Sequence, residues 1–242
     1  MSRTYLVVDI ETVPDPELRW DAAKEGFPPP PFHQVVAIGA LWFEPDLTFR
    51  RLGVFGVPHG GAGQPPPEGT VLQEFTQFVG RARPHVVTYN GRRFDLPVLC
   101  NRCLKHGVPF GLYYADRDYR YRYSELGHID LADVLSDHGA TPMVKLDAAA
   151  RLVGLPGKLG ADGSMVQELH GRGRLDEIQT FCLQDVVQTA LLFLRVELLR
   201  GRLDRGTYRA RARALCDALA GDPRVQPVLD AADRGRLLLE EG

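Results

Sequence analysis

The stretch QTFCLQDVVQTALLFL, Gln179 to Leu194, reads as a helix that is apolar almost all round, with Asp185 in its middle. A carboxylate in such a place costs several kcal/mol unless something pairs with it. Leu183, Val186 and Val187 flank Asp185 and leave it hard to solvate. Its partner has to come from elsewhere in the chain.

Working outward, the chain of 242 residues carries a formal net charge of −2 and is 44% hydrophobic. That suits one large domain, or one domain and a small appendage, with a sizeable core. No apolar run is long enough to span a bilayer. The apolar start of the chain is interrupted by Asp9 and Glu11 and lacks a small-residue cleavage site, so no signal peptide is expected and cytoplasmic residence is the default. The β-branched run TYLVVDIE predicts a buried strand over 4–11, followed by a Pro-rich excursion. QVVAIGALWF and TFRRLGVFGV predict two more strands, joined by a hairpin turn at EPDL. A Gly- and Pro-rich loop leads to a helix over 70–82, then HVVTYN gives a fourth strand. Helices follow, with a short strand or turn at HIDL and the long helix around Asp185. Strands first and then alternating strands and helices imply a mixed α/β layer architecture. After Gly201 two further helical stretches read as an appended element.

Carboxylates gather at the ends of these elements. Asp9 and Glu11 lie two apart on a strand, hence on one face, where they repel each other unless a cation is present. Asp95 follows the strand that ends at Asn90 and begins a helix. It could simply cap that helix, or stand where α/β sheets place ligands. Hard cations such as magnesium or manganese take oxygen ligands of this kind. Two such ions about 4 Å apart activate water and steady the leaving oxygen of a phosphodiester. Four acids nearly balance two divalent cations, which would answer the desolvation of Asp185.

In this order, DIET with Asp9 and Glu11, NGRRFD with Asn90 and Asp95, and FCLQD with Asp185 resemble the three motifs of the DEDD 3′–5′ exonucleases. The wording is closest to the branch related to the proofreading domain of B-family DNA polymerases, over roughly residues 4 to 197. The resemblance implies a ribonuclease-H-like mixed β-sheet flanked by helices at 1–198, and it leaves outside it the C-terminal helical extension, 199–242. It implies hydrolysis at the 3′ ends of single-stranded DNA or RNA with two divalent cations, magnesium or manganese. Carried over, Asp9, Glu11, Asp95 and Asp185 are the metal-binding and catalytic carboxylates. Thr12, Asn90, Arg92, Arg93 and Phe94 would contact the substrate. Asp130 and Lys145 match recurring positions outside the core motifs, with Asp130 placed to cap the next helix.

One position departs from the pattern. The family's third motif has a tyrosine four residues before its last aspartate, or a histidine five before it, to position the attacking water. Here Phe181 and Thr180 stand there, and a phenylalanine has no hydroxyl. Tyr89, His170 and Tyr123 are the conceivable substitutes. The alternative function is therefore a nucleic-acid-binding module with weakened or lost catalysis. RDYRYRY, Arg117 to Tyr123, mixes bases and aromatics as single-stranded nucleic acid requires, or alternates as an edge strand does. The Cys100 and Cys103 pair lacks the second pair a structural zinc needs, and Gly157-Lys158 is followed by Leu159, not by the Ser or Thr of a phosphate loop.

Overall fold

The structure, a computed structural model, describes residues 3–56, 66–159 and 163–240. The Gly- and Pro-rich stretch expected as a loop lies, over 57–65, outside the described residues, as does 160–162 of the loop before the short helix. Five strands form one sheet: β1 (Tyr5–Pro14), β2 (His33–Phe43), β3 (Phe49–Val54), β4 (His85–Thr88) and β5 (His128–Asp130), in the order β3-β2-β1-β4-β5. β1 to β3 form the expected antiparallel meander, while β4 and β5 run parallel to β1. The predicted EPDL turn closes by Leu47 N–H donating to Glu44 O over 2.9 Å.

The strand β1 is central because both of its faces are covered. Leu6, Val8 and Ile10 point to one side, against Leu72, Phe75, Leu96 and Leu99 of α2 (Glu68–Ala82) and α3 (Asp95–His106), in helix numbering that starts with the short α1 (Ala22–Glu25). Val7 points to the other side, as do Asp9 and Glu11 by alternation. α4 (Gly111–Ala115) stays on the first side, with Leu112 in the core of Leu6 and Val8, while α5 (Leu131–Leu135) leads on the second side to α6 (Leu146–Leu152), α7 (Gly163–Gly171) and α8 (Leu175–Leu199). Three helices follow: α9 (Arg205–Leu219), α10 (Gln226–Ala231) and α11 (Arg234–Leu238). The last of the predicted helical stretches is thus split in two. Ala232 is extended, and Asp233 restarts the helix by accepting from Arg236 N–H.

α8 is apolar all round because it is covered all round. Leu183, Val187 and Leu191 share one core with Val7, Leu41 and Val87 of the sheet and with Tyr208, Ala212, Leu215 and Leu237 of the C-terminal helices. The extension expected at 199–242 therefore completes the core around α8. The RDYRYRY stretch is not an edge strand: Arg117–Tyr119 makes a 3-10 turn capped by Asp116. Asp130 caps α5 as expected, accepting from Ala132 and Asp133 N–H. Among the described residues no helix is long and apolar enough to cross a membrane.

Candidate active site

Two local features bring Asp185 to the sheet. At Gly39, paired with Asp9 on β1, a Cβ would stand 2.8 Å from Cys182 Sγ and 3.1 Å from Val186. The missing side chain lets α8 lie close over β2. One step further, the β1–β2 register slips between Glu11 and Thr12, so that Val36 is the extra residue of a bulge. Bulges bend a strand and re-aim its side chains, and are common beside active sites. Here Glu11 and Thr12 line a cleft of about 370 Å³, together with Phe94, Lys158, Phe181 and Asp185.

Ligand oxygens of Asp9, Glu11 and Asp185 all lie within 4.8 Å of one another. A donor set of three carboxylates at that spacing fits an oxygen-liganded divalent cation. Without a cation the group is under strong repulsion. Burial raises the Asp9 carboxyl well above the usual carboxylate range, and the charges of Asp95, Asp185 and Glu11 add to it. Burial and Asp185 push Glu11 up to about 8, against the pull of Lys158. Burial lifts Asp185 to about 6, again with Lys158 opposing. The Cys182 thiol donates to the backbone oxygen of Asp9 at 3.4 Å and to its Oδ2 at 3.6 Å.

Asp95 is buried at the first position of α3. Phe94 holds the capping position and no side chain caps the helix, so plain capping does not account for Asp95. It stands outside the three-carboxylate group, yet its charge is the foremost repulsion on Asp9. Its own carboxyl is pushed up to about 7, first by burial.

The substrate-contact residues expected from the sequence separate. Thr12 and Phe94 line the cleft. Asn90 turns the β4–α3 loop with φ 64°, its N–H donating to Asp130 Oδ1, and its own buried Oδ1 has no hydrogen-bond partner. Arg93 is exposed on that loop. Arg92 faces the other way: its guanidinium lies 3.3 Å from Asp133 and donates to Arg120 O at 3.0 Å. Arg92 thus braces the loop, and does not line the cleft.

Phe181 lines the cleft one turn before Asp185 on α8. None of the conceivable substitutes lines it. Tyr89 Oη donates to Val144 O at 2.8 Å, Tyr123 packs on His138, and His170 borders a separate pocket. Lys158 and Cys182 escaped the sequence reading. Both sit in segments whose visible signal was something else: a failed phosphate loop for Lys158, an apolar helix for Cys182.

His33 also borders the cleft. Pro28 O can only accept, so His33 Nε2 donates to it at 2.9 Å, and burial holds the imidazole below its ordinary range. Neutral His33 then accepts at Nδ1 from Thr12 Oγ1, 3.0 Å away.

Comparison with known proteins gives a family and a fold. A family model described as "Predicted 3'-5' exonuclease related to the exonuclease domain of PolB" matches residues 25–230. The family B DNA polymerase from the hyperthermophilic archaeon Pyrobaculum calidifontis is 21% identical, with a TM-score of 0.55 over 97% of this chain and 28% of the polymerase. A product-bound structure of exonuclease I is 16% identical, with a TM-score of 0.39 over 87% of this chain and 46% of that one. The chain thus spans well under two thirds of either protein. No curated protein matches.

Proposed function

The chain belongs to the family of predicted 3'-5' exonucleases related to the exonuclease domain of PolB, and from that premise we propose that it is a metal-dependent 3′–5′ exonuclease acting on the 3′ ends of single-stranded DNA or RNA. The observation that carries this reading is the convergence of Asp9, Glu11 and Asp185, two of which line a cleft, with the charge of Asp95 acting on Asp9.

These four carboxylates would hold two divalent cations, magnesium or manganese. Bound there, such ions activate water and offset the negative charge that builds on a phosphodiester. Lys158 adds a positive charge at the cleft, beside Glu11 and Asp185, where the scissile phosphate would lie. Thr12 and Phe94 wall the terminal nucleotide, and Asn90 and Arg93 belong to the loop it would pass. Water adds to phosphorus, the bond to the 3′ oxygen of the preceding nucleotide breaks, and a nucleoside 5′-monophosphate leaves.

The test is a 5′-labelled single-stranded oligonucleotide incubated with magnesium or manganese. A ladder of products shortened from the 3′ end is expected, absent with EDTA and absent when the 3′ end is blocked. At limiting metal the rate should rise between about pH 6 and 8, because in the metal-free site the carboxyls of Asp185, Asp95 and Glu11 are pushed to about 6, 7 and 8 and protons compete with the cations for them. Tight oligonucleotide binding with no cleavage in either metal would favour the second reading, a binding module with degenerate catalysis.

Phe181 is the observation behind that second reading. If the missing hydroxyl limits the rate, Phe181→Tyr should raise kcat by roughly 10-fold or more, since one positioned group is worth about 10²–10⁴-fold in general acid–base work. The ring already lines the cleft, so little has to move to admit the hydroxyl. An unchanged or lower kcat would mean that water is held by other groups.

A further inference from the structure

The Pro-rich excursion between β1 and β2 carries an unusual side chain to the cleft. Phe27 is 76% exposed, yet it borders the same cleft as Glu11 and Asp185. Its ring stands 5.8 Å from Phe94 and 5.3 Å from His33, centroid to centroid, and those two meet edge-on at 4.9 Å. An exposed phenylalanine gains almost nothing from folding, so a loop that holds one in place needs another account.

The loop is held tightly. Four prolines follow Phe27, and a proline restricts both itself and the residue before it. Pro30–Phe32 forms a 3-10 turn, with Phe32 N–H donating to Pro29 O. Trp20 donates to Gly26 O at 2.9 Å and packs on Phe32, and Asp15 N–H donates to Phe32 O at 2.8 Å. His33 then ties Pro28 to Thr12 of β1 through its two ring nitrogens. The loop is thereby fastened to the strand that carries Glu11.

We propose that Phe27, with Phe94 and His33, forms an aromatic slot that stacks the base of the 3′-terminal nucleotide and sets its phosphodiester over the carboxylates. A nucleobase fits because its faces stack on aromatic rings without regard to sequence. The slot and the carboxylates share one cleft, as a terminal nucleotide requires. Phe27 acts as a positioning residue. The proposal rests on the exonuclease reading.

The test is binding of oligonucleotides carrying 2-aminopurine at the 3′ terminus, with calcium replacing magnesium to suppress turnover. The parent should quench this base and should leave one placed several nucleotides inward bright. Phe27→Ala should lose the quench and bind about 10-fold more weakly, the effect of losing one stacked base, with an unchanged Tm because the ring is exposed. Phe27→Tyr should match the parent. An oligonucleotide ending in an abasic 3′ nucleotide should bind parent and Phe27→Ala alike. The proposal is overturned, with the exonuclease reading intact, if Phe27→Ala keeps affinity and quench, if Phe27→Tyr loses as much as alanine, or if the abasic oligonucleotide shows the same loss. A parent that binds no oligonucleotide overturns both.

Discussion

Asp185→Ala is expected to reduce hydrolysis of a single-stranded oligonucleotide by about 10³-fold or more, a loss of about 4 kcal/mol of transition-state stabilisation. Asp185 joins Asp9 and Glu11 in one group of oxygens within 4.8 Å, so its removal deprives a bound cation of a ligand on the side that α8 supplies. Asp9→Ala should do the same from the β1 side. The same substitutions should make the metal-free chain more stable. In the parent, buried carboxylates face one another and each is raised by burial and by its neighbours' charges. Removing one relieves that repulsion, as at other sites where activity is kept at the expense of stability. Thermal melts in EDTA should therefore show Asp185→Ala at or above the parent's Tm, while gels show its activity gone. An Asp185→Ala protein that keeps a tenth of the parental rate would sink the assignment of this group as the catalytic centre.

The second large effect is on stability. Arg102 lies on α3 with its side chain only 2% exposed. Its Nε donates to Glu68 Oε1 at 2.7 Å and its Nη2 to Glu68 Oε2 at 2.5 Å, while its Nη1 pairs with Asp15. Asp15 also accepts from Lys105 at 2.7 Å and from the N–H of Glu17, and Glu68 accepts from Val35 N–H. One buried guanidinium thus ties the end of β1 to the start of α2, whose Glu68 in turn holds the bulged part of β2. Arg102→Met keeps the stem and removes the charge, taking from two buried carboxylates the guanidinium they share. A loss of about 3–5 kcal/mol follows, and a Tm lower by about 10 °C.

The pH dependence checks the cause. Burial alone would raise the Asp15 carboxyl, but the hydrogen bonds from Lys105 and Arg102 overcome it and hold it well below the usual carboxylate range. A lowered folded value stabilises fully above the unfolded value of about 3.9 and is lost as the pH falls through the folded one. In Arg102→Met much of that depression is gone. The gap in Tm between parent and variant should be widest near pH 7 and narrow toward pH 3. A gap that stays constant across that range would point to packing as the cause.

Much of the site is legible in the sequence because its carboxylates are anomalies. Asp9 and Glu11 extend an apolar strand, and Asp185 interrupts an apolar helix, so local patterning alone marks them as acids in need of a partner. Asp95 is less plain, since an acid at a helix start also reads as a cap; the backbone is what removes that option, by placing Phe94 at the capping position. Arg92 read as a substrate contact because it is basic and close in sequence to Asp95. Its direction depends on Asp133, far along the chain, and no local pattern carries that. Lys158 and Phe27 were invisible for a similar reason: each belongs to the site only because a loop returns to it.

The sequence by itself determined the meander followed by alternating strands and helices, the long helix and the acids on it, because periodicity and misplaced charge are local properties. Tertiary structure decided the rest. It covered α8 with the C-terminal helices, which is why that helix has no polar face. It placed α8 against a glycine of β2, and it slipped the β1–β2 register so that Glu11 and Thr12 open into the cleft. Each of these depends on which surfaces bury each other, and that is settled only when segments distant in sequence compete for the same core.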